Sequence, residues 1–197
     1  MAVARHYVSE VNIHTTLLSG DSSRGDDDDE VMLNAQAGQT GSFDEIFERY
    51  RVPVWGFFRR RVPDAARAEE LAQDVFAAVL AALPRYQPRG SFRSYIFAIA
   101  SNVLHADRRK LQTMPMQPLE DVAGEAANPE AGMWVRRAME LLDPDDREIL
   151  MLREFEQLSY QDIADVQNVP VNTVRSRLFR ARIALKDALM EGKQVQR

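Results

Sequence analysis

The chain has 197 residues, 45% of them hydrophobic, and no cysteine, which excludes disulfides, thiolate nucleophiles and zinc–thiolate sites and leaves room for one domain or two small ones. Its formal net charge is −5, yet residues 1–40 hold two basic against seven acidic groups while residues 41–197 hold 23 of each. Nine glycines and nine prolines argue against a turn-dense β architecture, and no apolar run nears bilayer-spanning length, so a soluble, cytoplasmic protein is expected, and the helical periodicity along the chain makes the expected fold all-α.

Residues 1–30 show no steady periodicity and end in an acidic run at 26–30. They are expected to form a mobile acidic tail, which either is simply solvated or shields a basic surface or contacts a partner. From 31 to 110 the pattern is helical. Phe43, Ile46, Phe47 and Tyr50 recur at three- and four-residue spacing, as do Leu71, Val75, Val79 and Leu83, then Ile96, Ile99, Ala100 and Val103. Pro63 and residues 84–91 interrupt the pattern, which predicts a compact domain of three or four helices.

Two surfaces of this front domain carry polar chemistry. Glu69, Glu70, Gln73 and Asp74 lie opposite the Leu71/Val75/Val79 stripe and form an acidic face. Such a face repels phosphates; it is either solvated or meets a basic protein. Further on, Tyr86, Phe92 and Tyr95 are interleaved with Arg85, Arg89 and Arg93, and Asn102, Arg108 and Arg109 follow on the same predicted helix. Rings among cations suit unpaired nucleotides, since rings stack on exposed bases while cations follow the backbone. Asn102 offers a donor and an acceptor to a base edge. Phe92 and Tyr95 fit a core role equally well, and Phe97 is read as core.

Residues 111–130 contain Pro115, Pro118, Gly124 and Pro129 and have little periodicity, so they are expected to be a flexible linker. A second helical domain is expected over 131–192. Val135, Ala138, Met139 and Leu142 make one stripe, Asp143-Pro144 stops it, and Ile149, Leu150 and Leu152 start another.

The most informative stretch is 158–182. Ser159-Tyr160-Gln161-Asp162 predicts a capping box, Gln167-Asn168 a turn that uses a left-handed residue, and Pro170 the first turn of the next helix. On that helix Val174, Leu178, Ala181 and Leu185 share one face, while Asn172, Thr173, Arg175, Ser176, Phe179 and Arg180 project elsewhere. Arginine forks can read guanine or clamp phosphate, Ser and Thr can reach either, and an aromatic edge can touch thymine methyls. From Pro170 on, seven basic residues face only Asp187 and Glu191. A capped helix, a tight turn and a basic outer face together predict a helix-turn-helix that enters the major groove.

At this point the residues resemble a family, the extracytoplasmic-function (ECF, group 4) sigma factors of bacterial RNA polymerase. Ala68-Glu69-Glu70-Leu71-Ala72-Gln73-Asp74-Val75-Phe76 and the stretch from Phe92 to Ile99-Ala100-Ser101-Asn102 resemble sigma region 2. Leu158-Ser159-Tyr160-Gln161-Asp162-Ile163-Ala164 and Val169-Pro170-Val171-Asn172-Thr173-Val174-Arg175-Ser176-Arg177 resemble region 4. Three positions depart from the family pattern: Arg67 replaces an acidic residue, Tyr95 a tryptophan, and Asp107 lies one place beyond the usual aspartate, leaving Ala106 there.

The resemblance implies a fold of two helical domains and a set of partners. Glu69, Glu70, Gln73 and Asp74 would dock on the β′ clamp of core RNA polymerase, which also contacts the sigma factor through β. Tyr86, Arg89, Phe92, Tyr95, Asn102, Arg108 and Arg109 would engage the −10 promoter element. Asn172, Thr173, Arg175, Ser176, Phe179 and Arg180 would engage the −35 duplex. An anti-sigma factor is the further implied partner; no cofactor or metal is implied. The alternative is a stand-alone helix-turn-helix regulator. An enzyme is disfavoured, because His6, His14 and His105 form no metal-spaced pair and no glycine-rich phosphate loop is present.

Overall fold

The computed structural model describes residues 24–88, 91–113, 135 and 137–194. Arg89 and residues 114–130 of the expected linker lie outside the described residues, as does the tail up to residue 23. The chain divides into two compact units, Met1–Glu120 and Asp121–Arg197. Every regular element among the described residues is helical.

The first unit holds α1 (Arg24–Gln36), α2 (Ser42–Arg59), α3 (Ala65–Ala82), a 3-10 turn at Leu83–Arg85 and α4 (Phe92–Thr113). The acidic run at 26–30, expected in a tail, is instead the first part of α1. Carboxylates near a helix N-terminus complement its dipole, but the deciding contacts are tertiary. Asp28 is 3% exposed and is met by the Arg49 guanidinium and the Tyr50 hydroxyl. A carboxylate can be buried there because Arg49 offsets its charge and the Tyr50 hydroxyl donates it a hydrogen bond.

The connection to α2 uses Gly38 and Gly41 at φ of 85° and 87°, a region that costs glycine little. Ile46, Tyr50, Val54, Phe57 and Phe58 form the buried face of α2. Asp64 caps α3 by accepting from the backbone N–H of Ala66 and of Arg67, both at 3.1 Å. The predicted stripe of α3 is buried at Leu71, Val75 and Val79, joined by Ala68, Ala72 and Phe76. On α4, Phe92, Ile96, Phe97, Ala100 and Leu104 turn inward. The helix continues through Thr113, past the 110 boundary expected for the domain. α1 packs on α2 and α4, α2 on α3, and α3 on α4, so one core serves all four helices.

The second unit has helical residues at 137–140, then α5 (Pro144–Glu154), α6 (Tyr160–Gln167) and α7 (Val171–Gln194). Asp143 caps α5 and Pro144 occupies its first turn, which is why the preceding helical pattern ends there. α6 opens with the capping box: the Asp162 N–H donates to the Ser159 hydroxyl and the Ser159 N–H donates to the Asp162 carboxylate, each at 3.0 Å. Asn168 ends α6 with φ 51°, and the Val169 N–H closes the turn on the Ala164 carbonyl at 3.0 Å. Ile149, Leu152, Leu158, Ile163, Val174, Leu178 and Ala181 fill the core between α5, α6 and α7. Leu185, the last member of the predicted α7 stripe, is only half-buried. No helix among the described residues is long and apolar enough to cross a membrane.

Candidate nucleic-acid interface

The core stripe of α7 fixes which residues face out. With Val174, Leu178 and Ala181 inward, Asn172, Arg175, Ser176, Phe179 and Arg180 are exposed and Thr173 is half-buried. Phe179 is 67% exposed, a large apolar ring standing in water on a polar face. Arg175 donates to the Asn172 side-chain oxygen at 3.2 Å, and the Ser176 hydroxyl donates to the Thr173 carbonyl at 3.0 Å. The six predicted residues therefore lie together on one side of one helix.

Other cations of α7 are tied to α5. Arg177 pairs with Asp145 at 3.1 Å and Arg182 with Glu154 at 2.9 Å. Arg180 is held differently, by two donors at once: Nε to one Asp146 oxygen at 3.2 Å and Nη2 to the other at 3.0 Å. That hydrogen bonding raises the Arg180 pKa, and Asp146 itself is 7% exposed. Sequence periodicity singled out Arg180 but not Asp146, which sits 34 residues earlier on another helix.

The aromatic element of the first unit is more buried than its composition suggests. Phe92 is fully buried and Tyr86 is 5% exposed, so both rings are core residues and not free stacking platforms. The reason is local packing. Phe92 lies edge-on to Tyr50 at 5.2 Å, Tyr86 edge-on to Tyr95 at 5.2 Å, and Tyr86 and Phe92 meet at 6.0 Å. The Tyr86 hydroxyl donates to Asp29 of α1, and the Gln36 amide donates to the carbonyls of Leu83 at 2.9 Å and Tyr86 at 3.1 Å. Tyr95 alone of the three rings is half-exposed. It borders a concavity of about 480 Å³ lined by Ala82, Arg85, Tyr86, Gln87, Ser91 and Tyr95. Asn102, Arg108 and Arg109 are exposed further along α4.

Burial pushes the Tyr50 and Tyr86 phenols well above the usual tyrosine range, and the hydrogen bonds to Asp28 and Asp29 add to the rise. Burial also raises Tyr95. These hydroxyls stay protonated donors. The nearby acidic residues of α1 thus serve the interior of this element and were missed as such, because a charge run gives no sign of which members turn inward.

On α3 the acidic face is partly occupied. Gln73 donates to Glu69 at 3.3 Å, and both are half-buried. Glu70 is paired with Arg67 at 2.6 Å; Asp74 is exposed. Arg67 also donates through Nε to Asp107 at 3.1 Å and through Nη2 to the same oxygen. Asp107 is 3% exposed. Two departures from the family pattern, Arg67 and the shifted aspartate Asp107, are therefore one ion pair. The bond to Asp107 does most to raise the Arg67 pKa, with Glu70 second.

A capped helix, a left-handed turn and a long helix with a cationic outer face define a helix-turn-helix protein of the DNA-binding class. Comparison with known proteins is more specific. Residues 46–113 match the model for Sigma-70 region 2, and residues 132–185 match that for Sigma-70, region 4. The RNA polymerase sigma-H factor of Pseudomonas aeruginosa is 34% identical over 182 residues, covering 82% of this chain and 93% of that one. The ECF RNA polymerase sigma-E factor of Escherichia coli K12 is 31% identical over 176 residues, covering 80% and 92%. Among solved structures, the sigma factor RpoE in complex with the anti-sigma factor NepR from Bartonella quintana aligns with TM-score 0.64 and 20% identity, over 77% of this chain and 98% of that one, which shows the fold. The chain belongs to the extracytoplasmic-function family of RNA polymerase sigma factors.

Proposed function

We propose that this chain directs core RNA polymerase to promoters through the residues whose geometry is given above. The outer face of α7 reads the −35 duplex, with Arg175 and Arg180 as charged donors and Phe179 as an apolar contact. In the first unit, Tyr95, Asn102, Arg108 and Arg109 face the −10 element, and buried Tyr86 and Phe92 support Tyr95 from behind. Unstacking a base costs a few kcal/mol, and stacking on a ring returns roughly 1–3 kcal/mol per base. The exposed Asp74, with Glu70, docks on the polymerase clamp. No catalytic step is assigned to the chain.

The observation that carries this reading is the outer face of α7. Six predicted contact residues stand on one side of a helix whose opposite side is fully buried at Val174, Leu178 and Ala181. An anti-sigma factor is the proposed restraint, as in the Bartonella quintana complex. Apolar side chains exposed on both units, Leu33, Leu80, Leu141 and Met190 among them, are surfaces it could cover. We place the protein in the cytoplasm, where polymerase works.

The test is promoter-dependent run-off transcription with purified core polymerase and the full chain. Initiation that requires the chain and a cognate promoter supports the reading. Duplex DNA binding without any polymerase-dependent initiation supports a stand-alone regulator instead.

A further inference from the structure

Asp146 lies outside the recognition helix, near the N-terminus of α5, and is buried although it is a carboxylate. Both of its oxygens are taken by a single side chain, Arg180. The Arg180 side chain is 63% exposed, so the pair joins a buried anchor to a cation that reaches into solvent. The contact is side-on, through Nε and Nη2, at 3.2 Å and 3.0 Å.

A guanidinium carries five N–H groups in one plane. Side-on pairing uses one hydrogen from Nε and one from Nη2. It leaves the end-on edge, made by Nη1 and the second Nη2 hydrogen, without a partner in Asp146. That edge has the two parallel donors needed to meet the O6 and N7 acceptors of guanine in the major groove. An arginine held only by its own flexible chain would have to be ordered at binding, and could as readily turn toward a phosphate. Asp146 removes that freedom, because two bonds to one carboxylate fix the plane of the guanidinium as well as its position.

We propose that Asp146 is a specificity-determining positioning residue: it holds Arg180 side-on so that the end-on edge reads a guanine in the −35 duplex. The proposal deepens, and rests on, the reading of α7 as the −35 helix. It makes Arg180 a base reader whose selectivity is set from a neighbouring helix, whereas Arg175 is bonded within α7, to Asn172.

The experiment measures binding of the full chain, assembled with core polymerase, to a panel of duplex promoters substituted one base pair at a time across the −35 element. Arg180→Ala should flatten discrimination at one or two adjacent base pairs. Asp146→Ala should flatten the same positions by a similar factor, about tenfold, while affinity for unrelated duplex is kept or rises, since a negative charge has left the DNA-facing side. A role in stability alone would weaken binding at every sequence equally. Uniform loss, or unchanged discrimination, in D146A overturns the proposal. Should D146A fail to fold by circular dichroism, Arg180→Lys decides: it keeps an ion pair with Asp146 but has no fork, and it should lose the same discrimination. Retained discrimination in R180K overturns the proposal. If R180A itself leaves the panel unchanged, the assignment of Arg180 to the −35 contact fails, and the proposal falls with it by a separate route.

Discussion

The Tyr86 hydroxyl donates to the Asp29 carboxylate, joining the start of α1 to a residue 57 positions further along the chain. Through that bond an acidic segment is fastened to the ring cluster beneath the proposed −10 element. Replacing Tyr86 by Phe keeps the ring contacts and removes the bond, so stability should fall by about 1–2 kcal/mol. Asp29→Ala should cost a similar amount. The double variant should lose less than the sum of the two single losses, measured by urea unfolding followed in the far ultraviolet. Strictly additive losses would show that the bond does not couple the two residues.

Alkaline pH should weaken the fold. An unfolded tyrosine titrates near pH 10. Burial, and then hydrogen bonding to Asp28 and Asp29, raises Tyr50 and Tyr86 above that in the folded chain. Below about pH 10 both states keep their phenolic protons and the stabilisation is complete. Above it the unfolded chain releases protons that the native chain retains, so stability declines as pH rises. Urea midpoints measured from pH 7 to 11 should drop on the alkaline side, and less steeply for Tyr50→Phe. A Tyr50→Phe profile parallel to that of the unmodified protein would contradict this account.

The α3 face should be dominated by Asp74. Glu70 is already shared with Arg67, whereas Asp74 is exposed. Asp74→Lys should reduce capture of core polymerase at least about tenfold, because like charges facing each other across an interface cost several kcal/mol. Binding of isolated −35 duplex should be unaffected. Normal capture of polymerase by this variant would show that the acidic face is merely solvated.

The two ends of α6 should differ in their sensitivity to substitution. Ser159→Ala removes one arm of the capping box and should lower stability by about 1 kcal/mol. Asn168→Gly, at φ 51°, should be tolerated with little change. Thermal melts of the two variants separate the cases. Equal, large losses would mean that the ends of α6 are held by contacts other than these.

Much of the second unit was legible because its signals are local. A capping box spans four residues, the left-handed turn needs one permissive side chain, and the α7 stripe repeats every three or four positions. Each can be read within a short window. The rings at Tyr86 and Phe92 were harder. Aromatics between arginines suit both a stacking surface and a core, and only the presence of Tyr50 and Asp29 against them settles the matter.

Taken by itself, the sequence determined that the chain is helical, that α7 turns Arg175, Ser176, Phe179 and Arg180 away from Val174 and Leu178, and that α6 and α7 meet at Asn168. Helix periodicity and backbone capping depend on neighbours in the chain, and those are written in order. The tertiary structure alone decided which charges face inward: Asp28 against Arg49 and Tyr50, Asp107 against Arg67, Asp146 against Arg180. Each pair joins residues more than 20 positions apart. A carboxylate in water and a carboxylate buried against a cation have the same local sequence signature. What separates them is desolvation, and that is set only when distant helices pack together.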